Sequence, residues 1–184
     1  MNHLNHTLRL KSLENDGTFS GYASVFNYVD LQQESIERGA FTQSLKNWQD
    51  LDQFPKMLWQ HDPKAPIGRW LEIREDSYGL FVKGQLLLDV QQGREAYTFL
   101  KEGIIDGLSI GFQILKSRRG NTGRTIQEID LHEISLVTFA ANPKAKITSL
   151  KDWMISNDVI GKLVQRLNDL QGIINLHDLL GAMA

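Results

Sequence analysis

Residues 107–116 read GLSIGFQILK, and this apolar run with two glycines decides how the rest of the chain is interpreted. Its length and branched side chains predict a β-strand over Gly107–Lys116. A basic, glycine-containing stretch follows at residues 117–125, and residues 126–139 read IQEIDLHEISLVTF, which predicts a return strand. The two strands therefore predict a long antiparallel hairpin with a polar loop.

Outward from this hairpin, the chain alternates short strands with two helices. Strands are predicted at residues 7–14, 19–28, 56–60, 67–74 and 80–88, and helices at residues 37–48 and 91–102. Pro63 and Pro66 are expected to keep regular structure out of the loop after residue 60. The predicted fold class is α+β and β-rich: a mostly antiparallel, closed or nearly closed β-barrel flanked by helices.

The last part of the chain has a different pattern and is predicted to be a C-terminal helical extension. Residues 1–150 are expected to form the barrel domain, and residues 151–184 the extension. Such a helix could pack on the barrel or bind a partner, and both interpretations stay open. The apolar side chains at helical spacing are Ile155, Val159, Ile160, Leu163, Val164, Leu167 and Leu170.

Composition excludes several classes of protein. The 184 residues carry a formal net charge of −2, which gives no reason to expect a nucleic-acid partner. The absence of cysteine excludes disulfides, thiol catalysis and cysteine-based zinc sites. No apolar run approaches the roughly 20 residues of a membrane-spanning helix, and the start of the chain lacks the pattern of a secretion signal. A soluble cytoplasmic protein without a membrane partner is expected.

Three kinds of side chain point to nucleophilic chemistry. Ser109 lies in the 107–116 strand, His61 follows the strand at 56–60, and Glu133 lies in the return strand. A serine hydroxyl needs a base to take its proton, and an acidic group commonly orients that base. Each residue alone has a structural interpretation as well: a loop histidine, a glycine-flanked bend, or a strand with one solvated face. His132 is an alternative to Glu133, because alternation along a strand lets only one of them face the site.

Several sequence blocks in one order carry a resemblance to a known family. Over residues 8–150 the chain closely resembles the prohead maturation proteases of tailed phages of the HK97 type, which are similar in fold to the herpesvirus assemblins. The blocks are GYASVF at 21–26, IERGAF at 36–41, LWQHD at 58–62, GLSIGF at 107–112, EISLV at 133–137 and ANPKA at 141–145.

The resemblance implies roles, a substrate and a place of action. It implies Ser109 as nucleophile, His61 as general base and Glu133 as third member, with His132 as the lesser candidate. No cofactor and no metal are implied. The implied partners are the major capsid protein, whose scaffolding segment would be cut, and a second copy of the chain in a homodimer. The implied location is the host cytoplasm, inside the assembling procapsid.

Two other functions remain as alternatives. One is a non-catalytic capsid assembly or scaffold module that docks through residues 151–184. The other is a metal hydrolase using His61, Asp62, His132 and Glu133, although no HExxH-like spacing supports it.

Overall fold

The computed structural model describes residues 16–120 and 123–150. Within them the chain forms eight strands and two helices. In chain order these are β1 (Thr18–Val25), β2 (Glu34–Ile36), α1 (Thr42–Asp50), β3 (Lys56–Trp59), β4 (Asp62–Glu75), β5 (Gly79–Leu86), α2 (Gln91–Lys101), β6 (Gly107–Gly120), β7 (Gly123–Val137) and β8 (Ile147–Leu150).

The strands form one mixed sheet around β7. Its order is β2-β7-β3-β4-β5-β1-β8, and β6 pairs with β7 outside that path. Both β2 and β3 run parallel to β7, whereas the other pairs are antiparallel. The β-rich α+β class is therefore confirmed, and so is the long hairpin of β6 and β7.

The predicted closed or nearly closed barrel is not confirmed, because the strand ladders form an open path. In the described part of the chain, the start of β6 meets the residues before β8 through an isolated bridge between Gly107 and Lys146. The chain turns there, with the Ala145 N–H donating to the Asn142 carbonyl at 2.9 Å. Pro143 inside that turn has no N–H to donate to a ladder. Two backbone hydrogen bonds flank the bridge, from the Leu108 N–H to the Ala145 carbonyl at 2.9 Å and from the Ile147 N–H to the Asp106 carbonyl at 2.8 Å, so the contact is a bridge and not a ladder.

The core lies between the sheet and the helices. Its burial drives the fold, since each fully buried aliphatic or aromatic side chain contributes about 1.5–3 kcal/mol. Helix α1 is joined to β7 through Ser44, whose hydroxyl accepts the Leu131 N–H at 2.8 Å, and through Trp48, whose indole N–H donates to the Leu131 carbonyl at 2.7 Å. Fully buried members of the core include Phe19, Phe41, Ile67, Leu80, Leu108, Ile129, Leu131, Ile134 and Leu136.

Two local predictions were wrong for physical reasons. The prolines do not interrupt structure: β4 begins at Asp62 and continues through Pro63 and Pro66. The β3–β4 ladder shifts register on both sides of Leu58, and prolines are tolerated at such irregularities. The first helix begins at Thr42 rather than at residue 37, because Gly39 has φ +94°, which no helical residue adopts.

Other predictions lie outside the described residues. These are the strand at 7–14, the helical extension at 151–184 and the boundary between the two predicted domains. In the part of the chain that the structure covers, neither helix has the length and apolar character needed to span a bilayer.

Candidate active site

Three neighbouring strands bring the sequence-predicted residues to one region of the sheet. Glu133 lies on β7, which is flanked by β3 on one side and β6 on the other. Trp59 at the end of β3 pairs with Leu136, so that His61 emerges beside β7. On the other side, Ser109 of β6 lies opposite Ser135 of β7. The sheet thus collects groups that are far apart in the chain.

His61 occupies a tight turn whose backbone is unusual. Gln60 and His61 form the two-residue connection between β3 and β4, with φ of +53° and +61°. Left-handed geometry at a residue other than glycine costs on the order of 1–3 kcal/mol and persists only where neighbours hold it. The Gln60 side chain donates to the Thr138 hydroxyl at 2.8 Å and accepts the Thr138 N–H at 3.2 Å, while the Gln60 N–H donates to the Leu136 carbonyl at 2.9 Å. These bonds anchor the turn to the end of β7.

The imidazole of His61 is paired with the carboxylate of Glu133. Nδ1 of His61 lies 2.5 Å from Oε1 of Glu133, and the two side chains are 43% and 13% exposed. The hydrogen bond to Glu133 raises the pKa of His61, burial opposes that shift, and attraction to the carboxylate adds to it. A proton on Nδ1 shared with the carboxylate leaves the lone pair of the neutral ring on Nε2. Nε2 is then the atom that can accept a proton.

Ser109 and His61 line one cavity of about 130 Å³. The Ser109 side chain is half-buried, and its neighbours Leu108 and Ile110 line the same cavity. Within the described residues, no hydrogen bond joins the Ser109 hydroxyl to the His61 ring. The structure therefore joins His61 to Glu133 directly, and it places Ser109 in a cavity that His61 also lines.

His132 lies apart from this cluster because β7 contains a bulge. Gly111 pairs with Glu133 and Phe112 with Leu131, so that His132 has no partner in the ladder. Its Nε2 contacts Oδ2 of Asp130 at 3.2 Å, and its side chain is 55% exposed. The bulge interrupts the simple alternation along the strand that was used to compare His132 with Glu133.

Nor do the four residues of the metal-hydrolase alternative meet at one point. Asp62 accepts the Lys64 N–H at 2.8 Å and serves the local turn, and His132 contacts Asp130. Within the described ranges, no group of three or more potential ligating side chains could hold a metal ion.

Two residues that sequence reasoning did not assign complete the cluster. The Ser135 hydroxyl donates to Oε2 of Glu133 at 2.6 Å and accepts the His61 N–H at 3.1 Å. Gly111 leaves open the space above β6 into which the Glu133 side chain extends. The position of Ser135 was predictable, since it lies two residues after Glu133 and residues two apart on a strand share a face. No comparable signal existed for Gly111, because its role depends on cross-strand pairing.

Gly111→Ala is expected to disturb the His61–Glu133 pair while leaving the fold intact. A Cβ at position 111 would lie 2.9 Å from both Cγ and Cδ of Glu133, and closer still to Oε1. Because Cγ is as close as Cδ, the Glu133 side chain has to change its rotamer, and its carboxylate then moves away from His61. We expect the His61 pKa to fall toward its ordinary value in an NMR titration, with a change in unfolding free energy of no more than about 1 kcal/mol.

Gly120→Ala is the matched control on the same strand. The nearest heavy atom to an added Cβ there is the Gly123 carbonyl oxygen at 3.7 Å, which is an ordinary contact. The His61 pKa should stay unchanged in this variant. A Gly111→Ala protein with the parental His61 pKa would show that the carboxylate does not need this space.

Comparison with known proteins places the chain in one family. Residues 6–157 match the family model described as Caudovirus prohead serine protease. The prohead protease of Enterobacteria phage HK97 is 36% identical over 139 residues, which are 73% of this chain and 60% of that protein. The capsid polyprotein of Pseudomonas phage PAJU2 is 35% identical over 102 residues, which are 51% of this chain and 15% of that protein. The chain thus spans less than two thirds of either relative.

Similarity to a solved structure supports the fold. The bacteriophage T4 capsid assembly protease superposes with a TM-score of 0.54 at 10% sequence identity, over 65% of this chain and 82% of that one. The family match covers most of the chain, including all three sequence-predicted site residues. The chain therefore belongs to the caudovirus prohead serine protease family, Peptidase S78.

Proposed function

We propose that this chain is a serine endopeptidase of procapsid maturation that uses Ser109, His61 and Glu133 as its catalytic triad. The observation that carries the proposal is the 2.5 Å contact between His61 Nδ1 and Glu133 Oε1, beside a cavity that His61 and Ser109 both line. A nucleophile and a base that are not yet hydrogen-bonded are common in substrate-free hydrolases, where the contact tightens in the substrate complex.

The proposed reaction follows the acyl-enzyme route. Neutral His61 takes the Ser109 proton on Nε2 while the hydroxyl oxygen forms a bond to the scissile carbonyl carbon. The imidazolium then gives that proton to the leaving amine, and the peptide C–N bond breaks. A water molecule, deprotonated by the same imidazole, cleaves the ester and regenerates the serine. Glu133 stabilises the imidazolium in both steps, which is consistent with the raised His61 pKa.

The proposed substrates are the scaffolding segment of the major capsid protein and the protease itself, inside the assembling procapsid. Similarity to a segment of a capsid polyprotein supports the capsid protein as partner, as does membership of a prohead protease family. The homodimer implied by the resemblance stays a prediction, and sedimentation at several concentrations tests it.

Labelling with a fluorophosphonate probe tests the enzyme class directly. Such probes react with serines that an adjacent base activates, so the label is expected on Ser109, with peptide mapping by mass spectrometry as the measurement. A label on Ser135 instead would contradict the assignment. An unlabelled protein whose peptidase activity is lost with a chelator would favour the metal hydrolase, and an unlabelled, inactive protein that still supports capsid assembly would favour the scaffold module.

A further inference from the structure

Ser135 combines complete burial with a polar role that the triad alone does not explain. Its side chain is fully buried on β7, directly opposite Ser109 of β6. Its hydroxyl donates to Oε2 of Glu133 at 2.6 Å and accepts the His61 N–H at 3.1 Å. Because Oε1 of the same carboxylate contacts His61 Nδ1, the three residues form a closed ring of hydrogen bonds.

We propose that Ser135 is a positioning residue that fixes both the Glu133 carboxylate and the His61 backbone. The inference rests on the proposed function, since it concerns the acid and base of that site. Ser135 is not among the residues that line the cavity. It acts through the two residues that it holds.

The direction of each hydrogen bond supports this role. A hydroxyl has one proton, and a carboxylate can only accept, so the Ser135 proton is committed to Glu133. The oxygen is left to accept the His61 N–H. This arrangement also argues against Ser135 as a nucleophile, because its proton faces a carboxylate rather than the imidazole and its oxygen is fully buried.

Each contact restrains a group that is otherwise poorly held. The His61 N–H lies in a left-handed turn, where no regular strand partner is available to it. The His61 N–H is part-buried, so leaving it without a partner is unfavourable. The Glu133 side chain has several rotatable bonds, and holding both oxygens restricts its rotation far more than holding one. Without the hydroxyl, the His61 N–H loses its acceptor and the carboxylate is expected to leave Nδ1, while the bonds from Gln60 to Thr138 and Leu136 still hold the rest of the turn.

Ser135→Ala in a Ser109→Ala background tests the positioning role without depending on activity. The His61 pKa should fall toward its ordinary value in an NMR titration, because the carboxylate is released. The His61 amide should exchange with deuterium about tenfold faster or more, because its acceptor is gone. An unchanged or higher His61 pKa, or unchanged amide exchange, would overturn the proposal.

Two further variants separate positioning from folding. Ser44→Ala removes a similarly buried hydroxyl that also accepts a backbone N–H, in this case that of Leu131 on β7. It should lower stability without moving the His61 pKa or the His61 amide exchange. Ser135→Cys fills the space of the serine hydroxyl but has only a weak hydrogen-bonding group. It should therefore show the same lower His61 pKa and faster His61 amide exchange, and it supplies these measurements if the alanine variant fails to fold. A cysteine variant with parental values would count against the role.

Cleavage of the capsid protein by variants that retain Ser109 completes the test. Ser135→Ala should lower kcat by about 10- to 100-fold with little change in KM, since misplacing a catalytic group by about 1 Å has effects of this size. If the parent cleaves the capsid protein and Ser135→Ala keeps the parental kcat, the positioning role is contradicted and the proposed function is not. If the parent does not cleave, the proposed function fails, whereas the pKa and exchange measurements still decide the role of Ser135.

Discussion

Ser109→Ala is expected to leave the major capsid protein at full length when the two proteins are co-expressed. The alanine methyl group cannot form the acyl-enzyme, so kcat should fall by about 10⁶-fold, the size of loss seen when a catalytic serine is removed. The readout is the fraction of cut capsid protein on a denaturing gel, with the cut site read by mass spectrometry. Self-cleavage of the protease should stop as well.

Controls for this experiment come from the same strand and the same cluster. Ser117→Ala replaces an exposed serine of β6 and should leave processing unchanged. His61→Ala should be as inactive as Ser109→Ala, and the double variant should be no worse, because nucleophile and base act as one unit. Normal processing by Ser109→Ala would rule out the peptidase mechanism. If truncation after Leu150 then abolished assembly, the scaffold module would explain both results.

Glu133→Gln is expected to lower kcat/KM by about 10²- to 10⁴-fold while leaving measurable activity. The amide has nearly the same shape as the carboxylate but carries no charge, so it neither stabilises the imidazolium nor holds the Nδ1 tautomer. The pH dependence should change as well. Glu133 raises the His61 pKa, and His61 must be neutral to act as base, so the acidic limb of the kcat/KM profile should move to lower pH in the variant.

The same pair links stability to pH in a defined direction. Because the folded chain holds the imidazole proton more tightly than the unfolded chain, the pair stabilises the fold fully below about pH 6.5, the ordinary His pKa. That contribution disappears as the pH rises through the raised pKa of the folded state. The Tm difference between parent and Glu133→Gln should therefore be larger at pH 6 than at pH 9. An equal difference at both pH values would contradict the pairing.

His132→Ala is the neighbouring control for Glu133, the third member of the proposed triad. His132 is exposed and contacts Asp130, so its removal should leave nearly all activity. If His132→Ala were the damaging substitution and Glu133→Gln the mild one, the choice of Glu133 would be wrong.

Much of the fold followed from local patterns in the chain. The hairpin of β6 and β7 could be predicted because its strands are long and its loop is rich in polar residues and glycine. Helix α2 begins at the predicted residue and ends within one residue of the predicted end. Sheet order could not be predicted in this way. The parallel pairing of β3 with β7 joins residues more than 70 positions apart, and no local signal reports it.

The site was predictable in its residue types and less so in its geometry. The motifs pointed to Ser109, His61 and Glu133, and the structure pairs His61 with Glu133 and places Ser109 in a cavity that His61 also lines. Simple alternation failed at residue 132, because a bulge changes the side on which the following side chains lie. The turn at Gln60 and His61 was not predicted, because neither residue type favours positive φ strongly enough to indicate such a turn from the sequence. Its geometry is imposed by the bonds from Thr138, Leu136 and Ser135.

The turn at Gln60 and His61 takes its left-handed backbone conformation when the chain folds, because hydrogen bonds to the end of β7 hold it there. The free-energy cost of this left-handed backbone is therefore met once, during folding. The His61–Glu133 pair then needs little further reorganisation when a polypeptide binds. In the proposed mechanism, such preorganisation would leave substrate binding to align only the nucleophile and the scissile bond.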